Sequence, residues 1–265
     1  MQKLSLVLAA AVTLCLAACS STPAATSPSS SEPASSSAPA LSGDLNVFAA
    51  ASLTNVFTDI GNQFQADNPG VTVHFQFDAS STLASQINEG ADADVFASAD
   101  QANMTKITDT GKASNPTVFA TNNLVLAVPS DNPAKVTSIN DLANPDVKTV
   151  VCAPEVPCGT IAGNVLSAAG VTVTPVSEEQ NVSAVATKLS MDEADAGFVY
   201  STDVAASGGK LTAIDLPSSV ISVTKTPYPI VAVGTGSDLA DAFVAYVLGD
   251  KGQAALAQAG FGSPA

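Results

Sequence analysis

Four places in the chain put a small or hydroxyl-bearing residue directly ahead of a helical pattern. They are Ser52 before Leu53, Ser80-Ser81 before Leu83, Cys158-Gly159-Thr160 before Ile161, and Asn181-Val182 before a helix ending near Leu189. The first turn of a helix carries N–H groups without intrahelical partners and about half a positive charge. Such a junction binds an anion without any cationic side chain. One of them alone reads as a plain cap. Four of them after parallel strands carry more weight, because the carboxyl ends of such strands open on one crevice. Composition sharpens the inference: the nine basic side chains are all lysine, against 24 acidic ones, for a net charge of −15. An anion site in this chain has to be built from neutral dipoles.

The same figures exclude other chemistries. Nucleic-acid binding needs a positive surface, and a chain with a pI near 4.1 and no arginine offers none. With His74 the one histidine and only four cysteines, the chain is poor in zinc ligands. A serine hydrolase would need a Gly-x-Ser-x-Gly elbow; the sequence has none, and His74 would have to be its base. An apolar content of 46% argues against disorder throughout.

Met1 to Ala18 reads as a secretory leader, with Lys3 at its start and an apolar run from Leu6 to Ala18 interrupted only by Thr13. The run is too short to span a bilayer, which takes about 20 residues. It ends in Leu16-Ala17-Ala18-Cys19, which resembles a bacterial lipobox, so Cys19 is expected to be diacylated and to become the N-terminus. Two acyl chains anchor a protein stably. Residues 19–42 are almost wholly Ser, Pro, Ala and Thr and read as a tether. Cys15 falls in the leader, which leaves Cys152 and Cys158 in a proline-containing loop. Outside the cytoplasm this close pair is expected to form a disulfide.

The folded part, from about Gly43, alternates strand and helix patterns. Leu45 to Ala49 reads as a buried strand, and Leu53, Val56, Phe57, Ile60 and Phe64 keep helical spacing behind Ser52, which stands where an N-cap belongs. Val71–Phe77 alternates like a strand, and Asp94–Ala97, Thr149–Cys152, Val171–Val173 and Ala196–Tyr200 are further strands. Helices fall after Ser80, Asp100, Gly159 and Asn181, and near the C-terminus around Leu239–Val247 and Ala254–Ala259. Two long apolar strands, at 123–128 and 228–233, suit crossovers between a discontinuous first domain and an inserted second one. The pattern is α/β with mostly parallel sheets.

Four segments resemble a known family: Phe48-Ala-Ala-Ala-Ser52-Leu-Thr-Asn55, Ala79-Ser80-Ser81-Thr82-Leu-Ala-Ser-Gln-Ile87, Ala93-Asp-Val-Phe-Ala-Ser-Ala-Asp100 and Gly197-Phe-Val-Tyr200-Ser-Thr-Asp203. In order and spacing, from about Leu45 to Phe261, they look like the periplasmic molybdate-binding proteins of ABC transporters. The resemblance implies a two-lobed type II periplasmic binding fold, each lobe a mostly parallel sheet flanked by helices. Its lobes would be residues 43–122 with 229–265, and residues 123–228. It implies capture of molybdate or tungstate by hydrogen bonds alone, with no cofactor, no protein ligand on the metal and no catalysis. Carried over by motif, the donors would be the hydroxyls of Ser52 and Ser80 (or its neighbour Ser81), the backbone N–H groups of Cys158 and Val182, and the phenol of Tyr200. The implied partners are the small oxyanion and a membrane permease, and the implied state is a monomer on the extracytoplasmic face of the cell membrane.

Asp78 departs from the pattern. Pointing inward it would repel a dianion or accept the proton of hydrogen phosphate, so it is expected to face solvent. Hydrogen bonds to a charged group are worth about 1.5–3 kcal/mol each. About five to seven of them, less the costs of association, reach the roughly −8 to −11 kcal/mol of micromolar to tens-of-nanomolar binding. A site made only of donors suits an oxyanion fully deprotonated at neutral pH. Sulfate, phosphate or another small anion on the same fold is the alternative.

Overall fold

The structure is a computed structural model that describes residues 40–264. The leader, Cys19 and all but the last residues of the tether lie outside the described residues. The first strand takes in Ser42, one residue of the expected tether.

The chain begins with β1 (Ser42–Ala50), a 3-10 turn (Ala51–Leu53), α1 (Thr54–Asp67), β2 (Gly70–Asp78), α2 (Ser80–Glu89), β3 (Val95–Ala97) and α3 (Gln101–Asp109). The long β4 (Thr117–Pro129) leads to β5 (Thr149–Cys152), α4 (Pro157–Ala169), β6 (Ser177–Glu179), α5 (Val182–Ser190), β7 (Ala196–Tyr200), α6 (Ser201–Ala206) and β8 (Leu211–Ile214). The second long strand, β9 (Lys225–Ala232), returns to α7 (Asp238–Leu248) and α8 (Asp250–Gln258).

Strand order is β2-β1-β3-β9-β4-β7-β5-β6, with β8 on β4. Two parallel trios, β2-β1-β3 and β6-β5-β7, stand at the ends. The antiparallel pair β4 and β9 joins them, running from Thr117 opposite Ile230 to Asn123 opposite Lys225. Beyond Asn123, β4 leaves β9 and pairs with β7 and β8. Its first half therefore belongs to one sheet and its second half to the other.

The apolar core divides accordingly. One cluster gathers Leu126, Val150, Val165, Val185 and Phe198; a second gathers Val47, Phe57, Phe64, Phe119 and Phe243; a third, smaller one gathers Leu83, Phe96 and Met104. The spacing read in α1 is the buried face of that helix, with Val56, Phe57, Ile60 and Phe64 all inward. Phe57 meets Phe119 and Phe243 at centroid distances of 5.7 and 6.3 Å. Each such ring is worth about 1.5–3 kcal/mol of burial, which makes this face the anchor of the first turn and of Ser52 just ahead of it.

Three local readings change. Val171–Val173 is not a strand; the chain joins the sheet only at Ser177–Glu179. The two valines do pack against the core, but the partner strand β5 has four residues, and its ladder is used up from Val150 opposite Ser177 to Cys152 opposite Glu179. Helix α6 and strand β8 were not foreseen, both being too short for periodicity to register. Ser52 is not a side-chain cap: it lies inside the 3-10 turn, and no side chain caps α1. Cys152 and Cys158 are joined by a disulfide, with Cα atoms 5.8 Å apart. Among the described residues no helix is long and apolar enough to cross a membrane.

Candidate functional site

Strands β1, β2, β5 and the segment after β6 each end at the start of a helical turn, and these starts meet. One small cavity is lined by Ala50, Ala51 and Ser52, by Asp78, Ala79 and Ser80, by Val156, Pro157 and Cys158, by Asn181 and Val182, and by Ala99 and Tyr200. All five donors expected from the sequence therefore line the same space, and between Ser80 and Ser81 it is Ser80 that does so. None of the described lysines lines it; Asp78 is its one charged residue.

The helices differ in how their first N–H groups are used. Asp100 caps α3 by accepting from Asn103 N at 2.7 Å, and Ser237 caps α7 by accepting from Ala240 N at 3.1 Å. Neither capping residue lines the cavity. By contrast α2 starts after Ala79 and α4 after Val156, neither of which bears a side-chain cap. Buried N–H groups need partners, so the first turns of α2 and α4 keep donors in reserve where they border the cavity. Asn181 does cap α5, accepting from Ala184 N at 3.0 Å, which leaves the N–H of Val182, the first helical residue, uncapped. Pro157 at the start of α4 has no N–H to lose, so the first available donor of that helix is the N–H of Cys158.

Tyr200 is the plainest candidate for a ligand-facing donor at the cavity. It is 1% exposed, and its Oη is, among the described residues, the buried side-chain polar atom without a hydrogen-bond partner. Buried hydroxyls are normally paired. Burial raises the phenol well above its usual 10, and the neighbouring Tyr228 and the carboxylates of Asp100 and Asp203 push the same way. The group stays protonated and is a donor.

The serines are held from behind. Ser80 is 1% exposed, and its Oγ accepts the N–H of Ala99 at 2.9 Å, so its own proton is free. Ser52 Oγ lies 2.9 Å from Tyr228 Oη. Asp78, expected in solvent, is half-buried at the cavity instead, and its Oδ1 accepts from Ala79 N at 2.7 Å and from Asn181 Nδ2 at 3.2 Å. That pairing at the end of β2 keeps it inward. Asp203, at the foot of Tyr200, accepts the Tyr200 N–H at 2.8 Å; burial pushes its carboxyl up to about 7 against the pull of that bond.

A larger space of about 530 Å³ adjoins the first, sharing Ala51, Ser52 and Asn181 with it, but it contains neither Ser80, Cys158 nor Tyr200. Sequence reasoning missed Tyr228 and Asp203. Tyr228 opens an apolar run and reads as core; its hydroxyl, the one polar tip in Tyr228-Pro-Ile-Val-Ala-Val233, was the signal available.

The chain resembles proteins of known kind along nearly all its folded length. A profile of bacterial extracellular solute-binding proteins matches residues 45–262. The molybdate-binding protein ModA of Mycobacterium tuberculosis is 43% identical over 219 residues, covering 82% of this chain and 84% of that one. ModA of Escherichia coli is 34% identical over 231 residues, covering 83% and 89%. Among solved structures, the periplasmic molybdate-binding protein of Azotobacter vinelandii superposes with a TM-score of 0.72 at 21% identity, over 83% of this chain and 100% of that one. The sulfate-binding protein SubI of Mycobacterium tuberculosis does so with 0.69 at 16%, over 82% and 86%; at these identities the two structures speak for the fold.

Proposed function

Because the chain belongs to the bacterial extracellular solute-binding proteins, and among them to the molybdate-binding proteins it matches at 43% identity, we infer that it captures molybdate outside the cytoplasm and hands it to the permease of an ABC importer. The observation that carries the reading is the Tyr200 hydroxyl, buried and unpartnered at a cavity that Ser52, Ser80, Cys158 and Val182 also line. Each of these offers a hydrogen and none offers a charge, which suits an oxyanion whose oxygens only accept.

In this reading the residues of 43–122 with 229–265 form one lobe and those of 123–228 the other. The paired strands β4 and β9 are the hinge about which they close. The metal is held as its oxyanion, with no protein ligand on it, no cofactor and no catalytic step. Tungstate, of the same charge and shape, binds in the same way. Diacylated Cys19 and the tether hold the monomer at the membrane, within reach of the permease. Asp78 gives the second reading its one support: a carboxylate at the cavity is the acceptor that hydrogen phosphate would need.

Thermal melting with molybdate, tungstate, sulfate and phosphate tests the assignment. Ligand at about 100 times its dissociation constant adds about 2.7 kcal/mol, a rise of about 5–10 °C for a domain of this size. Molybdate and tungstate are expected to give it. A rise with sulfate or phosphate and none with molybdate would overturn the ligand assignment.

A further inference from the structure

We infer that Tyr228 is a positioning residue of the oxyanion site, holding the Ser52 hydroxyl from behind so that its single proton points into the cavity. The inference rests on the molybdate reading above and deepens it. Tyr228 is completely buried on β9, and its ring meets Tyr200, Phe119 and Phe261 edge-on at centroid distances of 5.9, 6.3 and 5.5 Å. Three aromatic neighbours fix the ring, so its Oη is presented to Ser52 Oγ at 2.9 Å from a rigid base.

The distance allows either oxygen to donate, and chemistry chooses between them. A phenol is a better donor and a poorer acceptor than an aliphatic hydroxyl, because its lone pairs are partly drawn into the ring. With Tyr228 donating, Ser52 keeps its own proton for the cavity, and the accepted bond polarises it into a stronger donor. With the direction reversed, Ser52 would turn its one proton into the protein and present lone pairs to a dianion. Burial raises the Tyr228 phenol further above 10, with the Ser52 bond pulling the other way, so the proton stays on it. The same logic is built at the second serine, whose Oγ accepts the Ala99 N–H and is left free to donate. Both hydroxyls are filled from behind and donate forward. Tyr228 thereby makes Ser52 a committed donor, favouring oxyanions without a proton.

The test is a double-mutant cycle on molybdate affinity by titration calorimetry, using the native chain, Ser52→Ala, Tyr228→Phe and the double variant. Phenylalanine keeps the ring packing. Tyr228→Phe alone is expected to lose about tenfold, the scale of one strengthened hydrogen bond to a charge. In the Ser52→Ala background the same change is expected to lose less than about twofold, since the bond it serves is gone. Native affinity in Tyr228→Phe, or an equal loss in both backgrounds, overturns the inference and leaves the molybdate reading intact. Native affinity in Ser52→Ala overturns the inference by removing Ser52 from the site, whereas no molybdate binding by the native chain would overturn the molybdate reading itself. Should Tyr228→Phe not fold, tyrosine labelled with 13C at Cζ reports on the unaltered residue. The chain has three tyrosines, so Tyr200→Phe and Tyr246→Phe assign the signals. At saturating molybdate the Tyr228 signal is expected to move in the native chain and to hold still in Ser52→Ala; a signal unmoved in the native chain overturns the inference.

Discussion

Asp78 Oδ1 accepts a hydrogen bond from Asn181 Nδ2 at 3.2 Å, joining residues 103 apart in sequence across the cavity that both line. Asp78 ends the strand that delivers Ser80, and Asn181 caps the helix that delivers the Val182 N–H. The bridge ties together two of the elements that supply donors, and it brings the cavity its one carboxylate. Two effects oppose each other there. The bridge itself is worth about 0.5–1.5 kcal/mol, whereas a negative charge a few ångströms from a dianion would cost several kcal/mol even at an effective dielectric of about 20.

Repulsion is the larger effect, so Asp78→Asn is expected to tighten molybdate binding. The amide oxygen still accepts from Ala79 and Asn181, and only the charge goes. A gain of about tenfold, or about 1.4 kcal/mol, is a cautious share of the repulsion removed. Calorimetric titration reads it; weaker binding would mean that the carboxylate serves the ligand directly.

Tyr200→Phe and Ser80→Ala are expected to separate binding from stability. Each removes one hydrogen bond to a charged ligand, about 1.5–3 kcal/mol, or roughly 10- to 150-fold in affinity. Without ligand they differ. Tyr200 Oη has no partner to lose, so Tyr200→Phe leaves the melt unchanged or raises it. Ser80→Ala strands the Ala99 N–H and lowers stability by about 1–3 kcal/mol. Equal effects on the unliganded melt would contradict the geometry.

Gly159→Ala is expected to damage the Cys158 corner. A Cβ there would lie 2.0 Å from the carbonyl oxygen of Ala153 and 2.7 Å from that of Cys152, both backbone atoms that cannot swing aside. The first turn of α4 has to lift, taking the Cys158 N–H with it. A loss of about 1–3 kcal/mol is the usual scale of overpacking, seen in a denaturant melt, together with weaker molybdate binding. The disulfide holds the same loop closed. Reducing it is expected to cost about 2 kcal/mol for so short a loop, and a melt in the presence of a thiol reductant measures this.

The Asp203 carboxyl sets a pH dependence. Its folded-state pKa, about 7, stands above the ordinary carboxylate value, burial being the cause. Stability from this group is therefore full below about pH 4 and is lost as pH rises through 7. Glu179, Asp67 and Asp141 are shifted downward and act in the acid range, where their contribution is lost as pH falls. Between pH 5 and 7.5 the native chain is expected to lose melting temperature as pH rises, and Asp203→Asn to lose less. Parallel curves for the two would show that the carboxyl is already ionised at pH 5.

Much of the site was legible because its parts are local. A helix start is written within a few residues, and the uncapped junctions at Ala79 and Val156 keep their first N–H groups whatever the rest of the chain does. Readings that needed a partner fared less well. Ser52 has the residue type of an N-cap, but its hydroxyl oxygen is paired with that of Tyr228, 176 residues away. Val171–Val173 has the apolar pattern of a strand and packs like one, yet it has no ladder to join. Asp78 has the charge of a surface residue and is turned inward by an amide on another element.

By itself the sequence determined which groups the chain can offer an anion: amide and hydroxyl hydrogens at helix starts, in a chain without arginine, because composition and short-range spacing decide what a segment can offer. Only the tertiary structure decided what those groups lean on. The bond between Tyr228 and Ser52, the inward turn of Asp78 and the solitary Tyr200 hydroxyl arise where β4 and β9 bring distant segments face to face, and that register belongs to no single stretch of chain.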